Sequence, residues 1–130
     1  MFKRMKKMLK KEKGFTLVEL LAVIAILGII VAIAVPTIGN LITNSETKAK
    51  DANEELFENA ARLAYTAGYN TEATQYTLSE LVDAGYLDEI PNVPGTDSKY
   101  DAGVEIKDGS DANGGKVFEF DDSIDDDGVE

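Results

Sequence analysis

The chain has 130 residues, enough for one domain, with 24 acidic against 13 basic residues and a formal net charge of −11. It contains no cysteine and no histidine, which excludes disulfide cross-links, thiol chemistry and Ser-His-Asp triads. Such an acidic chain is a poor ligand for nucleic-acid phosphates, so we expect no direct nucleic-acid binding.

The basic residues are concentrated before Gly14, where seven of the thirteen lie: Lys3, Arg4, Lys6, Lys7, Lys10, Lys11 and Lys13. From Phe15 to Ile38 the residues are apolar or small, and Glu19 is the only charge. A helix of this length, at about 1.5 Å per residue, is long enough to cross a hydrocarbon core of about 30 Å. The positive-inside rule then keeps residues 1–14 in the cytoplasm and places the rest outside.

Glu19 is the anomaly of this predicted span. An ionised carboxylate in hydrocarbon costs at least a few kcal/mol, so Glu19 needs a partner or a purpose. The segment Thr16-Leu17-Val18-Glu19 also fits the T-x-x-E capping box, in which Glu19 would satisfy the N-terminus of a helix.

The helix is predicted to continue beyond the span, through residues 39–69, and to end near Gly68. Gly28 and Pro36 should be its weak points, because glycine costs about 1 kcal/mol in a helix and proline removes a backbone hydrogen bond. Small and apolar residues recur at steps of three and four, and we expect this stripe to pack a head: Ile38, Leu41, Ile42, Ser45, Ala49, Ala52, Leu56, Ala60, Leu63 and Ala67.

Residues 70–120 are predicted to form that small globular head, with 70–76 as a loop. Thr77-Leu78-Ser79-Glu80 is a capping box that opens a short helix, and Gly85 ends it. Residues 104–107 and 116–120 alternate as half-buried strands do and should form a hairpin. The predicted fold class is therefore α+β: a long N-terminal helix and a small C-terminal head with a short helix and a β-hairpin or small antiparallel sheet.

The last ten residues, 121–130, are predicted to be a disordered, solvated tail, since six of them are acidic: Asp121, Asp122, Asp125, Asp126, Asp127 and Glu130. Ser123-x-Asp125-x-Asp127-Gly128 imitates the start of a calcium-binding EF-hand loop, but it begins with serine and no closing glutamate follows. We find no catalytic constellation, and we predict no enzyme activity, no cofactor and no metal.

Lys13-Gly14-Phe15-Thr16-Leu17-Val18-Glu19-Leu20-Leu21, followed by Gly28 and Pro36, resembles the N-terminal signature of type IV prepilins and pseudopilins. The resemblance implies that a prepilin peptidase cuts between Gly14 and Phe15, removes the leader 1–14 and methylates Phe15. Residues 15–38 would then be the transmembrane and filament-core helix. Glu19 of one subunit would neutralise the new amine at Phe15 of its neighbour. The run Leu78 to Leu87 before Pro91 and Pro94 is also similar to the head of major pilins.

The resemblance implies a structural pilin subunit that polymerises into a type IV pilus-like filament. Its partners would be itself and other pilins, the prepilin peptidase, and an assembly platform with its ATPase. Before assembly it would be a single-pass protein of the cell membrane with a cytoplasmic N-terminus, and afterwards part of a cell-surface filament. Within the family, a competence-pilus subunit and a type II secretion pseudopilin are alternatives.

Two interpretations from other classes stay open. Ala32-Ile33-Ala34 could be the A-x-A site of an ordinary secretory signal, which would release an acidic binding protein. An uncut span could instead anchor an acidic surface domain that never polymerises. The N-terminus of the mature protein separates the three, because it would be N-methylated Phe15, Val35 or Met1.

Overall fold

The computed structural model describes residues 2–110 and 114–128, with side chains over 15–110 and 114–127. It consists of two compact units, Met1–Thr43 and Asn44–Glu130, which we call the N-terminal unit and the head unit. The elements are, in chain order, α1 (Phe2–Thr66), β1 (Gln75–Thr77), α2 (Leu78–Asp83), β2 (Gly103–Asp108), β3 (Lys116–Asp121) and a short 3-10 helix (Asp126–Gly128). The predicted α+β class is confirmed.

Both α-helices end at a glycine in the left-handed conformation. After α1, Gly68 has φ +86° and donates to the carbonyl of Tyr65, and Tyr69 donates to that of Ala64, both at 3.0 Å. Gly85, with φ +81°, stands in the same position after α2. These paired bonds form the Schellman arrangement, which satisfies carbonyls that the helix itself leaves unpaired.

The predicted capping box opens α2. The Glu80 N–H donates to the Thr77 hydroxyl at 3.2 Å, and the Thr77 N–H donates to the Glu80 carboxylate at 2.9 Å. Thr77 also belongs to β1, because the chain passes from strand to helix without a loop. The prediction of a loop over residues 70–76 was therefore wrong at its end, where Gln75 and Tyr76 pair with β2.

The sheet is antiparallel in the order β1-β2-β3. Val104 at its centre pairs with Tyr76 on one side and Phe120 on the other. Alternate residues of a strand point to opposite faces, so Tyr76, Val104 and Phe118 lie buried on one face. The predicted hairpin is formed by β2 and β3, in register from Gly103 with Asp121 to Asp108 with Lys116.

The core of the head unit lies between this sheet face, α2 and the last turns of α1. Its buried apolar residues are Phe57, Ala60, Ala61, Ala64, Tyr76, Leu78, Leu81, Leu87, Tyr100, Ala102, Val104, Ile106 and Phe118. Alanines on α1 let the sheet approach the helix closely, and Phe57 fills the space beyond them. The Phe57 ring lies 5.1 Å from Tyr100 and 5.8 Å from Phe120.

The predicted packing stripe of α1 was correct at Ala60, which is buried, but wrong at Leu56 and Leu63. Leu56 and Leu63 are 48% and 58% exposed, whereas Phe57 and Ala64, one position further along, are completely buried. One residue turns a helix by about 100°, so the two stripes lie on different faces. Both faces are rich in apolar residues here, and the large Phe57 takes the inward position.

The side of β3 that faces away from β2 is covered by α1. The carboxylate of Glu58 accepts a hydrogen bond from the backbone N–H of Phe120 at 3.1 Å. One turn further on, the Arg62 guanidinium lies 5.7 Å from the centre of the Phe118 ring, and the Tyr65 ring packs against that ring at 5.7 Å. These contacts protect an edge strand that could otherwise pair with another chain.

The prediction of a disordered tail also needs correction for its described part, residues 121–128. Ile124 is only 8% exposed and packs against Gly103, where a Cβ atom would come within 2.5 Å of the Ile124 side chain. The Asp126 N–H donates to the Asp101 carboxylate at 3.2 Å. Ser123 donates two hydrogen bonds to Asp121, which lower the pKa of that carboxyl group. The tail is therefore fastened to the outer face of the sheet despite its charge.

Candidate functional site

The N-terminal unit presents an apolar surface that no described side chain of the unit covers. From Phe15 to Ile42 its large apolar side chains are between 51% and 72% exposed, and no described residue of this segment is buried. A helix that is apolar on all sides is stable only inside a membrane or among other apolar helices. Among the described residues, the part of α1 from Phe15 to Thr66 is the one helix that contains a stretch long and apolar enough to span a membrane.

Glu19 lies in this apolar surface with its side chain exposed. No basic group of the described side chains forms an ion pair with it. Since α1 begins at Phe2, Thr16 and Glu19 lie inside the helix, and the capping role considered above does not apply to the uncut chain. Among the described side chains Glu19 therefore has no charge partner.

Gly14 and Phe15, the predicted cleavage pair, lie in the uninterrupted run of α1. The helix passes through both residues without a break. Glycine still makes this turn easier to open than an alanine would, by about 1 kcal/mol. Phe15 itself is 72% exposed, the largest exposed fraction among the large apolar side chains described.

Gly28 and Pro36 are also contained in α1 without a break. Pro36 has no N–H to donate to the carbonyl of Ala32, one turn earlier. The hydroxyl of Thr37, the next residue, donates to the carbonyl of Ile33 at 2.9 Å. A Cβ atom on Gly28 would meet nothing within 4 Å, so this glycine serves no close contact within the chain.

The surface of the head unit carries two features that the sequence did not reveal. An open groove of about 350 Å³ lies between α1 and the segment after α2, with Leu56, Tyr86 and Pro91 in its lining and Asp88 and Glu89 beside them. We call it the acidic groove. Its two sides are at least thirty residues apart in the chain, and periodicity had placed Leu56 in the core.

The second feature lies on the outer face of the sheet. Val117 is 48% exposed and stands directly opposite Lys107 in the β2–β3 register, next to Lys116. Lys116 itself lies on the opposite face, because successive residues of a strand point to opposite sides of the sheet. Lys107 binds Glu119 at 2.7 Å and Glu105 at 2.9 Å, and these hydrogen bonds raise the pKa of Lys107 above its usual range. The bond to Asp108 likewise raises the pKa of Lys116, so both lysines are charged at neutral pH.

The described acidic residues of the tail are not grouped as a metal site requires. Within residues 15–110 and 114–127, no group of three or more acidic side chains is placed to hold a metal ion. The EF-hand-like run of Ser123, Asp125 and Asp127 thus stays a sequence pattern, with Ser123 turned to Asp121 instead.

Comparison with known proteins gives one family match and several relatives. The model of the prokaryotic N-terminal methylation motif matches residues 9–35. The type IV major alpha-pilin of Moraxella bovis is 56% identical over 36 residues, which are 28% of this chain and 23% of that protein. The type IV narrow pilus major component of Thermus thermophilus is 47% identical over 55 residues, or 42% and 44% of the two chains.

A fimbrial protein of Pseudomonas aeruginosa is 29% identical over 80 residues, 62% of this chain and 52% of that protein. The chain therefore spans between about a quarter and a half of the lengths of these relatives. No solved structure gives a significant match. The relatives are structural subunits and not enzymes, which supports the prediction that this chain has no catalytic activity. The motif and the relatives together support a protein of the type IV pilin family.

Proposed function

We propose that this chain is a pilin precursor that is cut between Gly14 and Phe15 and polymerises through α1 into a type IV pilus-like filament. The observation that carries the proposal is the exposed apolar surface from Phe15 to Ile42, in which Glu19 forms no ion pair with any described side chain. This surface begins at the first residue after the proposed cut and overlaps the matched methylation motif, residues 9–35.

Cleavage supplies the positive charge that Glu19 lacks among the described side chains. Removing residues 1–14 creates a positively charged amine at Phe15, and N-methylation leaves that amine basic. The new helix then starts at Phe15 and has Glu19 in its first turns, where a negative charge interacts favourably with the helix dipole. When apolar helices of several subunits pack together, Glu19 of one subunit neutralises the amine of its neighbour. A buried charge pair is tolerable only when both charges are present.

The other segments of the chain each have a role in this sequence of processing and assembly. Before assembly, the basic leader holds the N-terminus in the cytoplasm and residues 15–38 span the cell membrane, with α1 continuing outside as far as Thr66. After assembly, the apolar helices form the interior of the filament and the acidic head units coat it. Gly28 and Pro36 are the positions at which α1 would loosen on packing, because each weakens the helix ladder. The prepilin peptidase and an assembly platform with an ATPase are the partners that this route requires.

The mature N-terminus is the first test. We expect mass spectrometry of membrane protein from the producing cell to find N-methylated Phe15. Gly14→Val should block the cut, because a β-branched side chain crowds the position that the peptidase reads as glycine, and Gly28→Val, beyond the cut, should not. An N-terminus at Val35 would support the secreted alternative, and an uncut chain would support the anchored surface domain.

Glu19→Gln then tests the mechanism of assembly. Glutamine keeps the size of the side chain and removes its charge, which leaves the Phe15 amine of a neighbour uncompensated at a cost of about 3–5 kcal/mol. We expect normal cleavage, normal retention in the membrane and a severe loss of sheared filament protein relative to membrane-bound mature protein. Glu55→Gln, at an exposed acid of the head unit, is the matched control. An unchanged ratio in the Glu19 variant would refute this role.

A further inference from the structure

The described tail of the head unit, residues 121–128, docks on a surface with the same sign of charge. It holds five carboxylates and no basic residue. Of the 24 acidic residues, two lie in the N-terminal unit, five in this tail and one at Glu130, which leaves 16 acidic and six basic residues in residues 44–120, a net charge of −10. Like charges across a contact disfavour it, so the docked tail is held in place against a repulsion.

One apolar contact and two hydrogen bonds hold the tail in place. The Ile124 side chain is buried over Gly103, where no side chain stands in its way. The Asp126 N–H donates to the Asp101 carboxylate at 3.2 Å, which sets one acidic residue against another. The buried hydroxyl of Thr77 donates to the Asp126 carboxylate at the long distance of 3.5 Å. The docked state is therefore a balance between this small set of contacts and the repulsion of the carboxylates.

The other carboxylates of the tail contribute repulsion without a compensating ion pair. Asp122, Asp125 and Asp127 are exposed, and no described lysine or arginine forms an ion pair with a carboxylate of the tail. Lys107, on the outer face of the sheet, is already paired with two glutamates. Exposed charges act on each other over about 30 Å at 0.01 M salt but over only about 8 Å at 0.15 M. The repulsion is therefore strong in dilute buffer and largely screened at physiological ionic strength.

We propose that residues 121–128 form a latch that is closed at physiological ionic strength, as in the structure, and opens when the ionic strength falls. The repulsion grows as salt is removed, whereas the apolar contact of Ile124 does not depend on charge, so the balance shifts toward opening. Opening withdraws Ile124 from Gly103 and releases the hydroxyl of Thr77, while β2 and β3 stay paired. The inference goes beyond the proposed function, because it concerns the head unit alone and holds whether or not the chain polymerises.

Hydrogen exchange of the full-length chain in a non-ionic detergent tests the latch. Protection of the tail peptide is its exchange rate relative to that of an unstructured peptide of the same sequence at the same salt. We expect this protection to rise by about fivefold or more between about 10 mM and about 300 mM NaCl. The peptide over β2, Gly103–Asp108, is the internal control and should change by less than about twofold, because opening the latch leaves the sheet paired.

Charge removal in the tail should close the latch at both salt concentrations. Replacing Asp122, Asp125 and Asp127 together by serine removes three exposed charges and none of the contacts that hold the tail. We expect the tail of this variant to be protected in dilute buffer to within about twofold of its protection at high salt. Ile124→Ala removes the apolar contact and should leave the tail unprotected at both concentrations.

The matched control removes three exposed acids elsewhere in the head unit, by Glu55→Gln, Glu72→Gln and Glu89→Gln. It lowers the net charge by the same amount and should keep more than about half of the salt response, because these charges are not in the tail. A control that loses the response as completely as the tail variant would overturn the role of the tail charges.

The remaining outcomes also decide the proposal. Equal protection of the unaltered tail at both salt concentrations would overturn it. An equal loss of protection in the tail and in β2 would show unfolding of the whole head unit and likewise overturn it. Tetramethylammonium chloride should act as NaCl does at equal ionic strength, since screening does not depend on the identity of the cation. A response to NaCl alone would indicate a bound sodium ion and refute the latch.

Discussion

The two units of this chain differ in the exposure of their apolar side chains. In the N-terminal unit the large apolar side chains described, from Phe15 to Ile42, are at least 51% exposed, and in the head unit most of those described are buried around Phe57, Leu81 and Val104. The head unit has its own core, whereas the N-terminal unit must find apolar surroundings elsewhere. Changes inside the head should therefore act first on folding, and changes in the exposed helix should act on membrane insertion and assembly.

This contrast predicts that the largest effect on the free energy of unfolding comes from disrupting the core of the head unit. Leu81 is completely buried, so Leu81→Asp places an unpaired charge in the core and should cost about 4 kcal/mol or more. A domain of this size has a total stability of only about 5–10 kcal/mol. We expect residues 44–130 to be soluble and to unfold cooperatively, and the variant to be largely unfolded by circular dichroism and chemical denaturation.

Leu63→Asp is the control for that experiment. Leu63 was predicted to pack the head but is 58% exposed, so the same substitution should change the free energy of unfolding by less than about 0.5 kcal/mol. Equal effects at Leu63 and Leu81 would show that the packed face of α1 has been assigned wrongly.

How far the sequence predicts this structure depends on how local each signal is. The capping box of Thr77 and Glu80 and the helix ends at Gly68 and Gly85 involve residues within one turn, and all are found where expected. The methylation motif around Phe15 is also contiguous, so the candidate site could be recognised without the structure. Its charge partner could not be tested in the same way, because that partner is not part of the described chain.

The predictions that were wrong all depend on contacts between residues that lie far apart in the sequence. The choice between Leu56 and Phe57 as the inward residue depends on the sheet that packs against α1, which lies far away in the sequence. The burial of Ile124 depends on Gly103, about twenty residues earlier, whose missing side chain makes room for it. The acidic groove likewise joins Leu56 to Pro91. Composition correctly marked the tail as acidic, but one apolar residue was enough to fasten it.

The next largest effect should come from the contact of Ile124 with Gly103, which fastens the tail to the sheet. Ile124→Ala removes most of a buried side chain, and we expect it to destabilise the head unit by about 2 kcal/mol, at the low end for such changes because Ile124 lies near the surface. Deleting residues 123–130 should cost about the same. Asp125→Ala, at an exposed neighbour, should cost less than about 0.5 kcal/mol. If the deletion did not change thermal unfolding, the tail would be disordered, as the sequence predicted.

A smaller effect is expected where α1 covers β3. Glu58→Ala leaves the Phe120 N–H without its carboxylate acceptor, and we expect a loss of about 1–2 kcal/mol. Glu55→Ala, at an exposed position on α1, is the matched control and should be close to neutral. Hydrogen exchange at the Phe120 amide should quicken in the Glu58 variant alone. Unchanged exchange would show that this hydrogen bond does not protect the strand edge.

The smallest effect, and the one that sharpens the contrast most, concerns Tyr100. Among the described residues its buried hydroxyl has no hydrogen-bond partner, while its ring packs edge-on against Phe57 and Phe120. A buried hydroxyl without a partner costs about 1–3 kcal/mol, so Tyr100→Phe should leave stability unchanged or raise it by up to about 1 kcal/mol. Denaturant unfolding of residues 44–130 measures this difference.

Tyr76→Phe is the same chemical change with the opposite expectation. The Tyr76 hydroxyl donates to the carbonyl of Tyr69 at 2.6 Å, and burial raises the pKa of Tyr76. Losing this bond should cost about 1 kcal/mol.

Glu19 and Tyr100 are both polar groups without a partner among the described residues, but only Glu19 lies on an exposed surface that another chain can reach. If Tyr100→Phe lowered filament yield without lowering stability, as we expect only of Glu19→Gln, the separation of folding in the head unit from assembly in the N-terminal unit would fail.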